Sequence, residues 1–101
     1  MNLQKLMNQA QQMQAKMAVK QEELAAREVE VSVGGGKVTV KATCAGDVLA
    51  IRIDPSVVDP SDVDFLQDLI LKGVQEAIST GKEQAAAEMK KLTGGLNIPG
   101  M

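Results

Sequence analysis

With 101 residues, 11 basic and 13 acidic side chains and a net charge of −2, the chain has the length of one domain and lacks the cationic excess that nucleic-acid binders usually carry. It contains no histidine, tryptophan or tyrosine, one phenylalanine (Phe65) and six methionines, so catalysis or metal binding would have to rest on carboxylates and lysines alone. No stretch approaches the ~20 apolar residues needed to cross a bilayer, and the polar opening Met1–Lys5 reads as neither signal peptide nor anchor, which predicts a soluble cytoplasmic protein with no membrane partner.

From Asn2 to Arg27 there is neither Gly nor Pro, and Gln, Met, Ala, Lys, Leu and Glu dominate, which predicts one helix over 2–27. Leu3, Leu6, Ala10, Met13, Met17 and Leu24 recur at spacings of three and four, a coiled-coil-like seam interrupted by Lys20 where an apolar residue is due. Such a helix is about 39 Å long, more than so small a domain can cover, so part of it must project.

A meander follows over 28–54. Glu28–Val33 and Lys37–Cys44 alternate polar and apolar residues and are joined by Gly34, Gly35 and Gly36, the pattern of a β-hairpin. Val29, Val31, Val33, Val38, Val40 and Ala42 share one face. A turn at Ala45, Gly46 and Asp47 leads to a third strand, Val48–Ile53, ended by Asp54 and Pro55. Cys44, the only cysteine, excludes an internal disulfide and reads as a small buried apolar side chain.

A second helix is predicted over 60–92, with Asp59 as its cap and Pro60 in the first helical position. Phe65, Leu66, Leu69, Ile70, Leu71, Val74 and Ala77 give its first half a broad apolar face, and beyond Ser79, Thr80 and Gly81 the pattern thins, so the outer half is expected to extend beside the first helix. Gly73 and Gly81 are expected to weaken or bend it. Residues 1–93 then form a single α+β domain, helix, three-stranded antiparallel meander, helix, with 94–101 as a flexible tail. A sheet with open edges and a core of this size, which buries only about two-thirds of the unfolded surface, point to a dimer.

Charge is distributed unevenly. Residues 1–21 carry Lys5, Lys16 and Lys20 and no acid, whereas 22–64 carry nine acids against four bases. The Gly34–Lys37 run is no phosphate loop, because both its flanks are strands. Asp54, Asp59, Asp62 and Asp64 fit no calcium loop and read as turn and cap residues. Met7, Met13 and Met17 suit seam packing, and by default the helix lysines are solvated charges. No catalytic, cofactor-binding or metal-binding residue is expected.

Taken together, Asn2-Leu3 with Leu6-Met7, Gln9-Ala10-Gln11, Met13-Gln14 and Lys16-Met17, the glycine hairpin running into Val38-Thr39-Val40, the Ile53-Asp54-Pro55-Ser56 strand exit, and Leu92-Thr93-Gly94-Gly95-Leu96 before Pro99-Gly100 resemble the YbaB/EbfC nucleoid-associated proteins of bacteria. The resemblance spans nearly the whole chain. It implies a homodimer whose helices protrude as paired arms around double-stranded DNA, binding with little sequence specificity, altering DNA conformation and nucleoid organisation, and influencing transcription.

On that footing Lys5, Lys16 and Lys20 of the first helix and Lys82, Lys90 and Lys91 of the second are the expected phosphate contacts, with the acidic middle held away from DNA. The arms offer no aromatic ring for base stacking, which disfavours single strands. No small-molecule substrate is expected. The rival expectation is a chaperone-like or adaptor protein whose arms grip protein through the Met/Leu seam. An enzyme is disfavoured, since no nucleophile is paired with a base.

Overall fold

The computed structural model describes residues 2–92, and the expected tail at 94–101 lies outside them. The first helix, α1, spans Leu3–Ala26. Asn2 caps it, its Oδ1 accepting from the backbone N–H of Gln4 at 3.1 Å and of Lys5 at 3.4 Å. Arg27 leaves the helix in an extended conformation and leads straight into the sheet.

Strands β1 (Glu28–Val33), β2 (Val38–Thr43) and β3 (Val48–Ile53) form an antiparallel sheet in the order β1-β2-β3. Val33 pairs with Val38 across the hairpin, and Gly34, Gly35 and Gly36 all turn with positive φ (64°, 69° and 88°), a left-handed path that side chains with a Cβ resist. Between β2 and β3 the register slips at Lys41/Ala42, where Lys41 faces Ala50 and Ala42 faces Val48, leaving Leu49 without an opposite number. A single 3-10 turn at Pro55–Val57 follows.

The second helix, α2, spans Val63–Leu92 rather than starting at 60. Asp59 does not cap it: its Oδ1 accepts from Ser61 N at 2.9 Å and Ser61 Oγ at 2.7 Å, closing a separate turn. Asp62 is the cap, accepting from Phe65 N at 3.3 Å. Two aspartates three residues apart both offer local acceptors, and the one nearer the apolar run takes the helix start.

α2 lies along β1 and β2 and hardly touches β3. Its contact ridge is Gly73, Ala77 and Gly81, one residue per turn and all buried. A Cβ on Gly73 would stand 2.9 Å from Val40 Cγ2, and one on Gly81 would stand 2.8 Å from the Thr43 carbonyl oxygen. The two glycines therefore seat the helix rather than bend it. The core is Leu24, Val29, Val33, Val38, Val40, Ala42, Cys44 and Ala77, flanked by Val31, Leu69, Ile70, Val74, Ala85 and Met89. The molecule is elongated, 71 × 24 × 16 Å, with a radius of gyration of 19.5 Å, against about 13 Å for a compact chain of this length. The excess comes from helices that run on past the sheet.

Candidate nucleic-acid interface

Where the two helices meet beyond the sheet, Leu24 is buried and Ala85 and Met89 of α2 pack against the same core. Met17 and Met13, about two and three turns further out on the α1 seam, are half-buried. Lys20 occupies the seam position between Met17 and Leu24, and α2 meets it with Glu88. Lys20 Nζ lies 3.2 Å from Glu88 Oε2 and 3.4 Å from Glu23 Oε2. Two further cations converge on Glu88 Oε1: Arg27 at 3.3 Å and Lys91 at 3.5 Å. Three cations thus share one carboxylate whose side chain is 20% exposed, while the Lys91 side chain is 75% exposed.

The electrostatics follow from these contacts. The Lys20 ammonium, joined by Lys91 and Arg27, holds the Glu88 carboxyl below its usual range. Glu88 and Glu23 in turn hold Lys20 above the ordinary lysine value.

The six lysines singled out from the sequence fall into two groups. Lys5, Lys16 and Lys20 share one side of α1, because positions 5 and 16 are three turns apart and lie within about 20° of each other around the helix. Lys16 and Lys20 line a shallow hollow with Ala15, Val19, Glu23 and Leu92, on the flank where Lys91 reaches Glu88. Lys5 and Lys16 make no ion pair among the described residues. On α2, only Lys91 joins this flank. Lys82 lines a different hollow with Gln75, Ile78, Ser79, Glu83 and Ala86, near the turn at Gly46. Lys90 is exposed, and the helical repeat sets it about 200° around α2 from Glu88.

Arg27 and Glu88 are the members that sequence reading passes over. Both belong to cross-helix contacts, which depend on how two helices are rotated against each other and leave no trace in the spacing of either one. Among the described residues no cluster of three or more His, Cys, Asp or Glu side chains could hold a metal ion, and no helix is long and apolar enough to cross a membrane.

Fold and site together define an α+β protein with a small sheet body and a pair of projecting helices that carry a cationic flank. A sequence model of the YbaB/EbfC DNA-binding family matches residues 1–96, and the chain belongs to that family. It is 56% identical to a nucleoid-associated protein of Akkermansia muciniphila, over 98% of this chain and 95% of that one. It is 55% identical to one of Clostridium novyi, over 100% and 89%. A crystal structure of an uncharacterised protein from Helicobacter pylori shares the fold with a TM-score of 0.80 at 18% identity, covering 93% of this chain and 99% of that chain.

Proposed function

We propose that the protein is a non-enzymatic nucleoid component that holds double-stranded DNA between the arms of a homodimer, chiefly through phosphate contacts. The observation that carries the reading is the shared flank of Lys5, Lys16, Lys20, Arg27 and Lys91 on a chain whose net charge is −2. Cations gathered on a projecting surface, with most of the acids kept in the body, create a local field that the net charge conceals. The names of the relatives support a place on the nucleoid. Lys82 and Lys90 lie off the flank and are secondary contacts at most.

A second copy is the partner that best fits the uncovered apolar surface. Because α2 lies over β1 and β2, the β3 residues Val48 and Ile51, with Leu49 at the register slip, stay exposed. Val63, Phe65 and Leu71 of the early α2 are exposed as well. The chain's 7303 Å² of surface exceeds the roughly 5,500 Å² of a folded monomer of its mass. A self-complementary patch of this kind closes by two-fold pairing. Phe65→Asp is expected to halve the mass seen by light scattering, and a wild type that scatters as a monomer overturns the dimer.

Duplex binding is tested by titration across salt concentrations. If a dimer neutralises about six phosphates, the slope of log affinity on log salt is near −5. Lys5→Ala with Lys16→Ala is expected to weaken binding roughly tenfold at intermediate salt and to flatten the slope. A flat salt response in the wild type overturns the reading. If the lysine variant instead keeps its DNA affinity, the lysine assignment falls, and retention of a bound protein by both forms favours a protein-gripping adaptor.

A further inference from the structure

The convergence of three cations on Glu88 is stronger than the union of the two helices requires. The junction is already packed by Leu24, Ala85 and Met89, and Arg27 and Lys91, at 41% and 75% exposure, reach Glu88 from the solvent side, where ion pairs contribute little to stability. What Glu88 does change is charge. It sits in the middle of the flank, on α2, and draws Lys20 from α1, Arg27 from the exit of α1 and Lys91 from its own helix onto two carboxylate oxygens, all within 3.2–3.5 Å. A planar anion with two acceptor oxygens held by a ring of ammonium and guanidinium donors has the same chemistry as a bound phosphodiester.

We propose that the Glu88 carboxylate is an internal counter-anion, occupying in the free protein the place that a DNA phosphate takes in the complex, so that it sets how strongly the arms hold the duplex. This rests on the reading of the flank as a duplex-binding surface. The exposure of Lys91 and Arg27 gives a phosphate access from outside, and each donor turned to it is turned away from Glu88. Duplex and carboxylate therefore compete for the same donors, and affinity is held below what the cation count allows. Exchange of one anion for another also lets DNA leave without stranding three like charges together.

The test is a salt titration of one fluorescent duplex with wild type, Glu88→Gln and Glu88→Asp. Gln keeps the shape and an acceptor oxygen and removes the charge. A unit charge about 4 Å from a phosphate in water is worth roughly a factor of five, so Glu88→Gln is expected to bind about fivefold tighter per chain at low salt. Its slope steepens by about one per chain. Glu88→Asp, which retains the charge, keeps the wild-type slope. If Glu88→Gln binds no tighter, or more weakly because the helices splay, Glu88 is a strut and the inference is overturned while duplex binding stands. A wild type that binds no duplex overturns both. In case the variant misfolds, the ¹³C signal of the Glu88 carboxyl in labelled wild type is followed as duplex is added. It is expected to shift while that of Glu76, twelve residues earlier, stays; an unmoved Glu88 signal also overturns the inference.

Discussion

The body and the arms of this molecule are built on opposite terms. In the body, the small residues Gly73, Ala77 and Gly81 let α2 settle closely on the sheet, against the valine side chains of β1 and β2 at Gly73 and against the backbone of Thr43 and Cys44 at Gly81. In the arms, Leu3, Leu6 and Met7 stand in the open and the contacts that matter are between charges. Close packing is concentrated where space is scarce, and the charge cluster where it is plentiful. Damage to the two regions should therefore register in different measurements.

The largest expected effect breaks the body where the arm joins it. Leu24→Ala removes a side chain that is 4% exposed and is expected to cost about 3 kcal/mol in chemical denaturation. Met7→Ala, on the same helix but out in the arm, is expected to stay within about 0.5 kcal/mol. Equal losses would mean that the outer α1 is covered after all. Next comes Gly81→Ala. In a free helix this change gains about 1 kcal/mol. Here the new methyl meets the Thr43 carbonyl oxygen, which belongs to backbone and cannot swing aside. A net loss of about 2 kcal/mol is expected, and a gain would show that the seat is looser than described.

The smallest effect sharpens the electrostatic side. Glu88 has its pKa lowered in the folded protein, so its contribution is present above the ordinary glutamate value and is lost as pH falls through the lowered one. Lys20 has its pKa raised, so its contribution is present below the ordinary lysine value and is lost as pH rises through the raised one. Melting temperatures of wild type and Glu88→Gln should thus converge in acid, where the wild-type carboxylate is also neutral. A gap that persists there would assign the difference to packing.

Much of the fold could be read along the chain because its signals are local. Three consecutive glycines between alternating runs define the hairpin, and 24 residues of α1 contain neither Gly nor Pro. The start of α2 was less legible, because Asp59 and Asp62 compete for the same task over three residues. Gly73 and Gly81 read as weak points in a helix considered alone, and only the sheet beneath them gives them their use. Lys20 was visible as an interruption of the seam. Its partner was not, since Glu88 is 68 positions away.

The close seating of α2 has one more consequence. The helix runs unbroken through 30 residues, from the sheet to the end of the arm, without a hinge. It is a lever whose pivot is Gly73 and whose load point is Gly81, about 12 Å along, with Leu92 about 28 Å from the pivot. Lifting the helix by one methyl group, about 1.5 Å, at Gly81 would swing Leu92 by between 3 and 4 Å, about half the rise of a helical turn or more. The aim of the arm is thus written into the thickness of the residue on which it rests.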